Sequence, residues 1–387
     1  MDISKLDFDS IAPYSDEEAV KAFAELSKHP LLPEISKYMF PDAPDTFLRD
    51  TLLSIKSIDE FQIHIMSNAV EWVISNSMRS FTYDGIENLK SMDRRFLAMS
   101  NHRDIILDPA LTQLVFFRND IQRTEIAVGD NLLFNKEIEM LIRSNRMIRV
   151  IRGISSRELY LRSMSLSAYI RNSIVSDRCS VWIAQRQGRT KDGADTTEQG
   201  LLKMLEMSGT GDFVENFKEL NIVPLSVSYE YEPCDILKAR ETLMSRSAPY
   251  VKGPREDLLS IMWGLKQQKG DVHLNIGRPL TDDEIEEASK FGGNDRYQSI
   301  RHAVDRRIIE GYRLSKTNYM GYDLANRTDK YADRYTSSDL KDFKEYTEGQ
   351  LAKADKELDR ESLRDIFLRI YGNPVQSVEA LQGAVQD

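Results

Sequence analysis

Between Phe96 and Ile276 the chain alternates short apolar, β-branched runs with longer stretches of helical period, and this alternation narrows the fold more than any other feature. The runs Phe96–Met99, Glu125–Val128, Met147–Ile151, Ser180–Ala184, Ile222–Tyr229 and Asp271–Ile276 read as strands. Helical patterns lie between them, near Pro109–Phe117, Lys136–Ser144, Arg157–Val175, Glu198–Met207 and Glu256–Gln268. Strands separated by helices pair through crossovers and not through hairpins. The expected class is therefore α/β, a mixed and largely parallel sheet flanked by helices. Pro224 lacks a backbone donor, which places it at an edge, a bulge or a strand start, and the run Asn221–Tyr229 around it offers no evident chemistry.

Both flanks read as helical. Ser15–Glu18 is a capping box followed by Val20, Phe23 and Ala24 at helical spacing, and Thr281–Glu284 is a second box before Ile300, Val304 and Ile308. The expected organisation is an N-terminal helical region over 1–85, a central α/β domain over 86–280 and a C-terminal helical region over 281–387. The charged stretch Ser338–Arg369 fits either a projecting helix or one packed down by Leu340, Phe343, Leu351 and Leu358.

With 387 residues, 41% of them hydrophobic and 29% charged, the chain is long enough to bury a full core. No uninterrupted apolar run reaches the roughly 18 residues of a membrane span, and Met1–Asp16 carries acids without an apolar signal core. The expected location is the cytoplasm, at most peripherally on the inner face of a membrane. Cys179 and Cys234 lack metal-binding spacing and read as small buried apolar residues. The net charge of −10 conceals a basic middle: Asp93–Lys191 holds 17 Lys and Arg against 10 acids. That excess suits a local anionic partner, such as phosphate, an acidic carrier protein or a lipid headgroup, and not nucleic acid. A solvated basic face has the same composition.

Three segments could carry chemistry. Ser100–Pro109 follows a strand and precedes a helix; it holds His102, which can take a proton near neutral pH, and two carboxylates, Asp104 and Asp108, able to orient it. The letters His102-Arg103-Asp104 also begin a kinase catalytic loop, but Pro109 stands where that loop needs Asn, and no Gly-rich loop or Asp-Phe-Gly accompanies it. Ile183–Gly193 also follows a strand: Gly188 permits close backbone approach, and Arg189 and Lys191 supply charge for phosphate. Met147–Gly153 ends a strand in Arg152.

In order and spacing these segments, with Ile222–Val227, resemble the blocks of the glycerolipid acyltransferase family, the glycerol-3-phosphate and 1-acylglycerol-3-phosphate acyltransferases, over roughly residues 90 to 280. Asn101-His102 through Asp108 resembles the family's Asn-His-x4-Asp block, with one extra residue, so that Leu107 stands at the usual place of the Asp. Gln187-Gly188-Arg189-Thr190-Lys191 is similar to the Gly/Arg block, with Gln187 where the family has Glu, and Ile222-Val223-Pro224-Leu225 to its Ile-Val-Pro-Val.

The resemblance implies acyl transfer from acyl-CoA or acyl-carrier protein to a hydroxyl of glycerol-3-phosphate or 1-acylglycerol-3-phosphate, without a further cofactor or metal. His102 would be the base, Asp108 its orienting carboxylate, and Arg152, Gly188, Arg189 and Lys191 the acceptor-binding residues. The Gln187 departure leaves room for another lysolipid, such as an aminolipid. A non-catalytic lipid- or carrier-binding protein on the same fold is the rival class. Peripheral membrane contact is expected near Phe116, Phe117, Leu132, Leu133 and Phe134, most of which suit core packing equally well.

Overall fold

The computed structural model describes residues 8–133, 135–151, 155–253 and 255–383. The centre is a seven-stranded sheet of β1 (Ser80–Asp84), β2 (Leu97–Ser100), β3 (Glu125–Gly129), β4 (Met147–Val150), β5 (Val181–Ala184), β6 (Ile222–Tyr229) and β7 (Asp271–Ile276), in the order β1-β7-β6-β2-β5-β3-β4. Every neighbouring pair is parallel except β6 and β7. The chain is thus a mixed, largely parallel α/β protein, with helices on both faces of the sheet.

Alternation along the strands sorts the core into two layers. On β2, Leu97 and Met99 face the layer built with the helices Ser156–Val175 and Asp295–Gly311, where Ile300, Val304 and Ile308 are fully buried. Ala98 faces the other layer, with Val223, Leu225, Val227 and Tyr229 of β6 and the helix Leu107–Arg118. Both sequence-read capping boxes are formed.

Two sequence expectations need correction. β1 lies inside the region read as helical; it is a half-exposed edge strand running straight on from the helix Ser67–Ser77, so it carries little apolar signal. Pro224 sits in a central strand, between β2 and β7. Its carbonyl accepts from the Gly277 N–H (2.9 Å), so its missing donor faces the same side, just outside the β6–β7 ladder that begins at Leu225–Ile276. The ring therefore interrupts no ladder bond there.

The C-terminal helices Lys316–Asn326, Ser337–Leu351 and Arg360–Gly383 are packed down, with Phe343, Leu351, Leu363 and Phe367 buried against the helix Asp235–Ser245. Pro374 deprives the Ile370 carbonyl of its helical donor, and Gly193 fits against that carbonyl: a Cβ there would lie 2.1 Å from its oxygen. Gly193 also has φ +81°, so both space and backbone require glycine. Among the described residues no helix is long and apolar enough to cross a membrane. Phe116 is core, Phe117 is 38% exposed, Leu132 and Leu133 are half-buried, and Phe134 lies outside the described residues.

Asp235 ties these helices to the domain: its Oδ2 accepts from the hydroxyls of Tyr346 (2.6 Å) and Tyr371 (2.7 Å). Burial pushes its carboxyl up to about 6, against those hydrogen bonds. A carboxyl raised in the folded state binds its proton more tightly there than in the unfolded chain, so its contribution to stability falls as pH rises from about 4 through 6. Asp235→Asn removes that slope. Compared with the wild type, the variant is expected to gain up to about 3 kcal/mol between pH 4 and 7, read from denaturant midpoints. A constant offset from the amide facing the Ile236 N–H leaves the slope unchanged.

Candidate functional site

β2, β5 and β6 are mutually parallel, so their C-terminal ends share one edge of the sheet, and the residues that follow them converge there. The Ser100 carbonyl accepts from the Gln185 N–H (2.7 Å), and the His102 carbonyl from the Thr190 N–H (2.8 Å), which ties the segment after β2 to the segment after β5. Asn101 is fully buried and clasps β6, its amide donating to the Val227 carbonyl (3.0 Å) and its oxygen accepting from the Val227 N–H (2.8 Å).

Of the two carboxylates near His102, Asp108 makes the bond: His102 Nδ1 lies 3.0 Å from Asp108 Oδ2. That oxygen also accepts from the backbone N–H groups of Arg103 (2.6 Å) and Asp104 (2.9 Å), while Oδ1 accepts from the Tyr229 hydroxyl (2.8 Å). Both oxygens of Asp108 already accept from other donors, so Nδ1 is the donor in this bond and Nε2 is the ring nitrogen left for a ligand. Asp104 serves the backbone instead. Its Oδ1 accepts from the N–H groups of Ile106 (2.9 Å) and Leu107 (2.8 Å), closing the first turn of the helix that carries Asp108. The His102 ring meets the edge of Trp182, with centroids 6.1 Å apart.

His102 opens into a cleft of about 420 Å3 that Arg186, Gln187, Gly188, Arg189 and Lys191 also line. Arg189 is 6% exposed, yet its Nη1 has no hydrogen-bond partner among the described residues. Gly188 has φ +71° and open space where a Cβ would stand. Lys191 pairs with Glu241 (2.5 Å), and Lys252 with Asp257 (2.5 Å), both pairs at the cleft wall. Burial, with help from the Arg189 charge, pushes the Lys191 ammonium down to about 8. Arg152 lies outside the described residues. A second pocket of about 300 Å3 shares Gly129, Ala184, Arg186 and Gln187 with the cleft; Val150, Leu159, Leu166, Leu201 and Met204 line it, together with Arg149 and Arg162.

Beneath the cleft lies a buried ionic group that sequence reading did not single out. Arg103, 1% exposed, pairs with Asp195 (2.6 Å) and Glu232 (3.1 Å), donates to the Gly193 carbonyl (2.9 Å) and stacks 4.7 Å over the Tyr312 ring. Lys238 joins it, pairing with Glu232 and donating to the Arg103 carbonyl (2.7 Å). Asp195 and Glu232 stand 92 and 129 residues from Arg103, so no local spacing marks them. Tyr229 ends a run that reads as chemically silent. Its available signal is its place at the C-terminal end of a strand beside β2. Arg103→Met would leave two buried carboxylates sharing Lys238, and is expected to lower the unfolding free energy by about 3–5 kcal/mol, read from denaturant midpoints.

No family model matches the sequence, and no curated protein matches it. Among solved structures the chain is similar to the crystal structure of the 1-acyl-sn-glycerophosphate (LPA) acyltransferase PlsC from Thermotoga maritima. The likeness runs at 14% identity over 76% of this chain and 95% of that chain, with a TM-score of 0.39.

Proposed function

We propose that this chain is an acyltransferase that moves a fatty acyl group from a thioester, acyl-CoA or acyl-carrier protein, to a hydroxyl of glycerol-3-phosphate or 1-acylglycerol-3-phosphate. The observation that carries the reading is the convergence, in one cleft, of an imidazole oriented by a buried carboxylate and a buried guanidinium with a nitrogen that has no partner among the described residues. The first element is a base for a hydroxyl and the second an anchor for an anion.

His102 Nε2 takes the acceptor's hydroxyl proton as the oxygen attacks the thioester carbonyl. The tetrahedral intermediate collapses, the C–S bond breaks, and the departing thiolate receives that proton from the imidazolium. Products are the ester and the free thiol. Asp108 stays ionised throughout, holding the ring and offsetting its positive charge. Arg189 and Lys191 grip the acceptor phosphate, so that binding energy orients the hydroxyl. The adjoining apolar pocket, rimmed by Arg149, Arg162 and Arg186, suits the acyl chain and the anionic end of its donor. Membrane contact is peripheral in this reading.

Purified protein is mixed with palmitoyl-CoA or acyl-carrier protein and each acceptor, and thiol release and acylated product are followed. Acceptor-dependent release is expected, and His102→Ala is expected to lower it by about 10²–10⁴-fold. Turnover unchanged in that variant would sink the role of His102. Release only with a phosphate-free lysolipid would keep the chemistry and overturn the acceptor. Lipid binding without turnover would favour the non-catalytic rival.

A pH dependence follows from Lys191. A base lowered to about 8 loses its proton as pH rises through that value, and only the ammonium holds phosphate. The KM for a phosphate acceptor is expected to rise about tenfold between pH 7 and 9, and the rise is expected to disappear in Lys191→Met. Arg189→Ala is expected to raise KM at every pH, because guanidinium does not titrate there.

A further inference from the structure

We infer that Tyr229 is a positioning residue for the His102–Asp108 pair: its hydroxyl fixes the plane of the Asp108 carboxylate and thereby the aim of the imidazole. The kinetic consequence rests on the acyl-transfer reading; the geometric consequence does not. Asp108 is wholly buried, and its two oxygens are held unequally. Oδ2 takes His102 Nδ1 and the two backbone N–H groups of Arg103 and Asp104, which fix where that oxygen sits. A point does not define a plane. Oδ1 has one donor among the described residues, the Tyr229 hydroxyl at 2.8 Å, and that bond stops the carboxylate from turning about its Cβ–Cγ bond.

The donor comes from a fully buried strand of the sheet. Tyr229 is the last residue of β6, a central strand, 1% exposed and paired with Val272, and its ring packs in the apolar layer under the helix that carries Asp108. Burial and the Asp108 charge push its hydroxyl well above the usual tyrosine range, so it is a donor near neutral pH. Asp108 thus receives charge-stabilising bonds from three groups that do not titrate in the working range. Its negative charge is spread, and the Nδ1 proton stays on the ring. With Tyr229 removed, Oδ1 would be buried without a partner and the carboxylate would rotate toward a donor elsewhere, taking the His102 bond with it.

Tyr229→Phe deletes one oxygen and keeps the packing ring. In 15N-labelled protein, a histidine Nδ1–H bonded to a buried carboxylate gives a low-field proton signal, assigned to His102 by its absence in His102→Ala. That signal is expected in the wild type and expected to broaden or vanish in Tyr229→Phe, while the thermal midpoint shows that the variant is folded. In parallel, kcat is expected to fall about tenfold, less than the loss on deleting His102 itself, with the acceptor KM changed less than about twofold. A purely structural tyrosine would shift the midpoint and leave both readouts alone. An unchanged low-field signal overturns the inference, as does unchanged kcat where His102→Ala is inactive. If His102→Ala retains full turnover, it is the acyl-transfer reading that falls, and the proton signal alone then judges the hold of Tyr229 on Asp108.

Discussion

One buried guanidinium holds the working edge of the sheet together. Arg103 follows His102 directly, and its fork reaches Asp195 in the segment after β5 and Glu232 in the segment after β6. An ion this deeply buried is unfavourable unless its partners are also buried and hydrogen-bonded, and here they are: Asn101 donates to Asp195, and Lys238 to Glu232. The three segments cannot move apart without exposing charges to an apolar interior. This constraint converts three independent loops into one rigid rim, and the 3.0 Å placement of His102 against Asp108 depends on such a rim.

The same electrostatics explain why the basic composition of the middle segment is a poor guide to a partner. Arg118 pairs with Glu71, Arg123 and Arg146 with Asp59, Arg171 with Glu219, Arg178 with Glu125, and Arg103 with Asp195 and Glu232. Most of these acids lie outside the basic segment, so much of its apparent excess is neutralised by tertiary contacts that no charge count along the chain reveals. Arg149, Arg162, Arg186 and Arg189 make no ion pair among the described residues and line the cleft or its adjoining pocket. These four arginines put positive charge on the walls of the cleft and pocket.

What is legible in the sequence follows the range of the interactions. Buried strands such as β2 and β6 declare themselves because every position is apolar or small, and the capping boxes because the cap and its partner stand three residues apart. β1 escapes notice because an edge strand of half-exposed residues has no such run. Pro224 misleads because a central strand ordinarily has a ladder along both sides, whereas here the ladder with β7 starts one residue later. His102, Asp108, Gly188, Arg189 and Lys191 can be nominated because they sit within a few residues of strand ends. Tyr229, 121 residues from the carboxylate it bonds, cannot, since only the sheet order makes them neighbours.

The turn between His102 and Asp108 sets how the two side chains meet. Asp104 turns the chain by bonding the N–H groups of Ile106 and Leu107, and the helix begins at Leu107. Asp108 then stands in the first helical turn, where the backbone N–H groups of Arg103 and Asp104 point back at its carboxylate. Had Asp104 been the partner of His102, the turn into the helix would have lost its two hydrogen bonds and the buried Asp108 would have had no imidazole beside it. The division of labour between the two acids follows from their places: Asp104, three residues before the helix, holds the turn into it, and Asp108, inside its first turn, bonds His102.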